Sequence, residues 1–201
     1  MCYSPEVSLG TFLFVGAICI YLWQRNRRVD RAISLILITI VVMQLIEFFL
    51  WMNQDPACNW INRIATYAIP ITLYLQILSL PLIMLWLNAS WLPRWSLIGL
   101  AAILLLSFPL FISNLPDRIL SPCTFKGAEN HLEWPIKYNE GLLYHTITTV
   151  MYASLKDPSM AILFLAGYWS SYLYTWSSYG RDWSSVWCHA ANGMAIGALF
   201  L

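Results

Sequence analysis

The chain is poor in charge. Of its 201 residues only 10% are Asp, Glu, Lys or Arg, against about 25% in an average soluble domain. With 59% hydrophobic residues and a mean hydropathy of +0.62, that shortage excludes a water-soluble globular domain. It also excludes disorder, which needs low hydrophobicity and high net charge. Net charge is nearly absent: 11 basic and 10 acidic side chains leave +1, so there is no electrostatic footprint for nucleic acid. No basic stretch precedes the first apolar segment, and the start therefore reads as a membrane span rather than a cleaved signal peptide. Compact chemical motifs are missing as well. Neither His-Glu-x-x-His nor Cys-x-x-Cys occurs, which removes the usual local signatures of a metal site. Ser184 and Ser185 lack a nucleophile-turn context, and Lys156 lies at a loop rather than mid-span, where a retinal Schiff base would need it.

What is present is an all-α, polytopic membrane bundle. A spanning helix takes about 20 mostly apolar residues. Seven such segments are found, at about 7–24, 32–52, 64–87, 96–113, 140–155, 159–179 and 183–201, in one transmembrane domain with a long loop at 114–139. The fifth is short and carries His145 and several Thr residues; read as a re-entrant or cavity-lining segment, it reduces the count to six. The 11 Trp and 11 Tyr suit the membrane interfaces. Ser4, Pro5 and Glu6 form a helix start: an N-cap, a first-turn proline and an acid at the positive end of the dipole. Four arginines in Arg25-Asn26-Arg27-Arg28-Val29-Asp30-Arg31 place the first loop on the cytoplasmic side. The N-terminus is then outside or lumenal and, with seven spans, the C-terminus cytoplasmic.

This topology puts Cys58 and the loop residue Cys123 on the side where disulfides persist, so they are a candidate pair. Cys2 and Cys188 also lie toward that side and form a weaker candidate, the alternative being that Cys188 is a small buried apolar residue, as Cys19 is expected to be.

Polar residues inside the spans carry the functional signal. Gln44, Glu47 and Trp51 share one helical face by their spacing, and an ionisable group inside a span marks a functional site by default. His189 and Asn192 share a face in the last segment, where Gly193 and Gly197 permit close helix approach. His145 has Thr148, Thr149 and Tyr152 nearby along its helix. Counted along the segments, Glu47, His145, His189, Asn192, Tyr67 and Tyr172 fall at one outer-leaflet level. Convergent polar groups in an apolar bundle are what a ligand pocket looks like. The ligand-binding candidates are therefore Gln44, Glu47, Trp51, Tyr67, His145, Tyr172, His189 and Asn192. Pro70 and Pro81 interrupt the hydrogen bonding of the third span.

The opening Met1-Cys2-Tyr3-Ser4, the Gln44-Leu45-Ile46-Glu47 with Trp51, the late Trp187-Cys188, and Asp30-Arg31 and Leu75-Gln76 resemble a family of small polytopic membrane proteins of unknown function. That family is similar to proteins of large DNA viruses and microbial eukaryotes. This chain departs from the pattern at Ile77, where the family has a proline that is delayed here to Pro81. The resemblance implies a shared membrane fold and names no substrate.

Three functions fit these residues. The first is a small-solute or cation/proton transporter or channel, in which Glu47 binds the cation and His145 and His189 assist it. The second is a membrane-embedded enzyme whose Glu47, His145 and His189 hold zinc or copper. The third is a structural, receptor-like or lipid-interacting protein whose polar residues join helices. The implied partners are the lipid bilayer, a small solute or ion, and a second copy of the chain in a homo-oligomer.

Overall fold

The computed structural model describes residues 4–27, 29–127, 130–137, 141–179 and 183–201. The first helix begins as its sequence requires: Ser4 accepts a hydrogen bond from the Val7 N–H, and Pro5 takes the first turn. This helix, α1 (Pro5–Arg25), ends on Asn26 in the left-handed conformation that asparagine tolerates. It is followed by α2 (Asp30–Met52), α3 (Trp60–Leu87) and α4 (Arg94–Ser113). After a short α5 (Leu115–Arg118), strands β1 (Phe125–Lys126) and β2 (Leu132–Glu133) form a hairpin. The chain then runs through α6 (Gly141–Ala153), α7 (Pro158–Ser178), α8 (Trp183–Ala191) and α9 (Met194–Ala198). Of the described residues 76% are helical, and the all-α class holds.

Among the described residues four helices, α1 to α4, are long and apolar enough to cross a membrane. Their outward faces carry Leu106, Leu105 and Ile103, and Trp60 stands at one end while Trp86, Trp91 and Trp95 stand at the other. Large exposed apolar surface of this kind belongs against lipid, with tryptophans at its two margins. The later segments differ from the seven uniform spans expected. α7 has 21 residues but is interspersed with Ser, Tyr and Trp, whereas α6 has 13. Segment 183–201 is two helices, because the Asn192 side chain bonds back to the Cys188 carbonyl at 2.6 Å and the backbone tightens to i→i−3 bonds. These run from Asn192 to His189 and from Ala195 to Asn192, the short-range pattern of a 3₁₀ turn.

α2 is the central helix. It packs on α1, α3, α8 and α9, and its fully buried Ile33, Ile36, Leu37, Met43 and Leu50 meet Leu22, Ile69, Met84, Met160 and Phe164 in the core. A helix surrounded on several sides is apolar over most of its circumference, and its few polar side chains, Asp30, Ser34, Gln44 and Glu47, are buried with it. α3 runs unbroken through Pro70 and Pro81. α9 closes on α7, where a side chain at Gly167 would strike Met194 and one at Gly197 would strike Leu163; Gly197 thus sits at a close approach, as expected, while Gly193 belongs to the turn.

The two ends are tied differently. At the first end Asp30, fully buried, takes both oxygens of its carboxylate into bonds from Arg25 at 2.8 and 2.6 Å, and also accepts from the Arg27 N–H. Arg25 reaches on to the Leu199 carbonyl at 3.0 Å, which joins the first turn to α9. Nearby, a bridge between Ser90 and Leu155 zips the α3–α4 and α6–α7 connections. At the opposite end Cys58 and Cys123 form the expected disulfide, with Cα atoms 5.8 Å apart. The described residues of segment 114–139 are accordingly no loose loop: Thr124 and Leu132 are fully buried and Trp134 nearly so.

Two outcomes follow from these ties. Asp30→Ala strands Arg25 and should lower stability in detergent by about 2 kcal/mol, intermediate between exposed and buried pairs. The pair Arg25→Met/Asp30→Leu should recover most of that loss in the same melts. Cys58→Ser opens a loop closed over a separation of 65 residues and should cost about 4 kcal/mol; a melt unchanged by the substitution would contradict the tie.

Candidate functional site

A cavity of about 490 Å³ lies at the disulfide end, within the roughly 300–1,000 Å³ of small-molecule sites. Its origin is a wedge between helices. α4 packs along α3, and α6 approaches it where Ile77, Leu78 and Leu104 cluster with Leu100, Tyr144 and Ile147. Toward the disulfide end the helices splay, and the gap is walled by Leu73 and Tyr74 of α3, Leu110 and Phe111 of α4, and Trp183 and Trp187 of α8.

Most polar atoms deep in the wall are already engaged. The Tyr74 hydroxyl lies 2.6 Å from both the Leu104 carbonyl and the Ser107 hydroxyl. The Tyr144 hydroxyl donates to Gln76 Oε1 at 2.7 Å, and Gln76 Nε2 donates to the Thr39 carbonyl at 2.9 Å, linking α6, α3 and α2. What remains toward the cavity is apolar, apart from His145 and the rim. Below lies a cavity of about 20 Å³ lined by Gln76, Tyr152, Tyr168 and Cys188 among others, room for about one water. Tyr144 and Trp187 line both spaces and so form the partition between them.

The rim is cationic. Segment 114–120 is zipped to 134–137 by a bridge between Ile119 and Ile136 and by backbone bonds from Leu120 to Pro135 and from Lys137 to Arg118. That register sets Arg118 beside Lys137, with Asn114 close by in the same wall. The Arg118 guanidinium lies 5.0 Å over the Phe111 ring, a contact that braces a planar cation.

The residues expected to converge are distributed over three places. Gln44 and Glu47, both fully buried, pair within α2 through a 3.0 Å bond from Gln44 Nε2 to Glu47 Oε2, and Trp51 lies half-buried one turn further on. His145 and Tyr172 do meet, with ring centroids 4.5 Å apart, inside an aromatic cluster that includes Tyr168, Trp169 and Trp187; the Tyr168 hydroxyl is 2.5 Å from His145 Nδ1. His189 faces α1 instead, its Nδ1 3.3 Å from the Thr11 hydroxyl, and Asn192 caps its own helix. Tyr67 is half-buried on α3 and is not part of the described cavity wall; of the eight residues, His145 alone lines that wall.

No group of three or more His, Cys, Asp or Glu among the described residues is placed to hold a metal ion. Glu47, His145 and His189 thus do not assemble as a zinc or copper site, since they face α2's own turn, the α7–α8 aromatics and α1. Cys188 is a buried free thiol, as is Cys19, and its suggested partner Cys2 lies outside the described residues, as do Met1, Tyr3, Arg28 and Glu140.

Sequence reasoning missed Arg118, Lys137, Tyr74, Tyr144, Gln76 and the three cavity tryptophans, Trp134, Trp183 and Trp187. The available signal was the pair of proline-led cations, Pro116-Asp117-Arg118 and Pro135-Ile136-Lys137, on either side of a tethered Cys123. The chain matches no family model, and no curated protein or solved structure is detectably similar to it.

The partition makes a measurable demand. Tyr144→Phe removes the donor to a buried Gln76 oxygen and should cost about 1–2 kcal/mol. With Gln76→Leu in the same background the effects should be non-additive by about 1 kcal/mol; strict additivity in detergent melts would mean that the two side chains do not hold each other.

Proposed function

We propose that this is a seven-segment integral membrane protein, with the start of α1 outside and α9 ending inside, that receives a small organic solute from the outer side and passes it across the bilayer. The observation that carries the reading is the cavity of about 490 Å³ at the disulfide end, bounded beneath by Tyr144 and Trp187. Orientation is supported from both ends. The disulfide of Cys58 and Cys123 needs an oxidising compartment, and the arginine-rich turn at the opposite end suits the cytoplasmic face. In this assignment α6, α7 and the α8–α9 pair complete the bundle around α2, and their polar character is tolerated because they face protein or cavity rather than lipid. Tyr144 and Trp187 act as the inner gate, and His145 with Tyr172 stiffens the wall behind them. Glu47, held by Gln44 in the core, positions α2 against α8.

Cysteine accessibility tests this reading. Leu110→Cys lines the cavity and Met194→Cys the small space beneath it. A membrane-impermeant maleimide should label Leu110→Cys in intact cells well above the parent protein. It should label Met194→Cys slowly, and faster once Tyr144→Ala is added. Labelling of Leu110→Cys only after permeabilisation would reverse the orientation. Indifference of Met194→Cys to Tyr144→Ala would remove the gate, and with it transport.

A further inference from the structure

We infer that the solute is a long-chain amphiphile with an anionic oxygen headgroup, a carboxylate or a phosphate monoester, seated with its head at Arg118 and Lys137 and its chain running down toward Ile77 and Leu104. The inference rests on the cavity being open at the disulfide end, and it adds the ligand's chemistry. Three features converge on it. The rim carries two cations that the Ile119–Ile136 bridge and the bond from the Lys137 N–H to the Arg118 carbonyl hold side by side. Arg118 lies over Phe111, which braces a planar cation of the kind that recognises carboxylate or phosphate. Lys137 Nζ already donates to the Asp117 carbonyl and keeps donors to spare, since an ammonium has three.

Below the rim the wall is Leu73, Ile77, Leu110, Phe111, Trp134 and Trp187. The Tyr74 and Tyr144 hydroxyls are committed to Leu104, Ser107 and Gln76. A solute polar along its whole length would therefore lose its hydration without replacement, whereas an alkyl chain would not. The wedge lies beside α4, whose apolar surface is mostly outside the bundle. Its cationic end is level with the ends of α4 and α6, the depth at which headgroups sit, so an amphiphile can enter from the outer leaflet in the orientation it already has.

The test uses the full chain in a non-ionic maltoside detergent, with radiolabelled oleate as the probe. Expected is saturable binding near one per chain. Oleoyl lysophosphatidate should compete within about tenfold of oleate, and oleyl alcohol and oleylamine at least tenfold more weakly. Arg118→Gln and Lys137→Gln should each weaken oleate about tenfold, as loss of a charged hydrogen bond does, and leave oleyl alcohol unchanged. Ile77→Trp, or Leu110→Trp should that variant misfold by its melt, should abolish binding of all four. A preference for oleate or for lysophosphatidate upholds the inference and identifies the source. Equal competition by oleyl alcohol, with both Gln variants unaffected, overturns the anionic assignment and leaves the open cavity standing. Binding that survives both Trp variants places the oleate elsewhere and overturns the inference as well. The cavity itself is judged separately, by labelling of Leu110→Cys.

Discussion

Asn62 sits fully buried beneath the disulfide with every polar atom of its side chain engaged. Its Nδ2 donates to the Asn53 and Thr124 carbonyls at 2.9 Å each, and its Oδ1 accepts from the Thr124 N–H at 2.9 Å and the Thr66 hydroxyl at 3.1 Å. Because Thr66 has spent its proton there, the Thr124 hydroxyl must donate in their 2.9 Å contact. A network satisfied to this degree in a low-dielectric interior specifies one arrangement, since any slip leaves several groups unpaired at once. Asn62 thus fixes where the chain re-enters the bundle after Cys123. The hairpin, the buried Trp134 and the rim cations take their positions from that point. The disulfide limits how far the segment strays, and Asn62 sets its register.

The same rule of internal satisfaction governs the centre. α2 carries Asp30, Ser34, Gln44 and Glu47 into burial, and each has a defined role: Asp30 in the Arg25 clamp, Ser34 donating to the Cys19 carbonyl at 2.8 Å, and Gln44 paired with Glu47. Inter-helix bonds such as those of Asp30 and Ser34 to α1 average only about 0.6 kcal/mol in membranes. Their value is in specificity, because they choose one rotation of α2 among several that would bury its apolar surface equally well. Glu47, which on sequence alone looks like a ligand group, is in this setting first a member of the packing.

Local chemistry was legible wherever it acts within a few residues. The Ser4 cap, the four apolar helices and the Cys58–Cys123 pair all follow from short-range pattern or from topology. Periodicity alone could not show which way a face points: His145 and His189 were expected at one level, but one turns into the aromatic cluster and the other toward Thr11. Nor did it reveal that Asn192, bonding back to Cys188, would end a helix that apolar composition favours as far as Leu201. The cavity was the least visible feature. Its cations lie in a segment whose order depends on Asn62 and a disulfide partner 65 residues away, and its walls come from four helices whose splay no single segment encodes.

The two ends are held differently. At the arginine end the first turn is held to α9 through Arg25, and the α3–α4 connection is bonded to the α6–α7 connection by the backbone of Ala89 and Trp91 and by the hydroxyls of Ser90 and Ser154. Separating the helices there would break several bonds at once. At the disulfide end α4 is held along one side by α3, with Tyr74 bonded to Ser107 and its ring tilted against Phe111 with centroids 4.5 Å apart, while α6 meets it mainly around Leu104. The rest of α4 is exposed apolar surface, and it is the least buried of the four long helices. The cavity is therefore walled on that side by one helix with little protein behind it. A wall of this kind suits the amphiphile proposed above, because an alkyl chain reaching it from the surrounding lipid need never cross an aqueous phase.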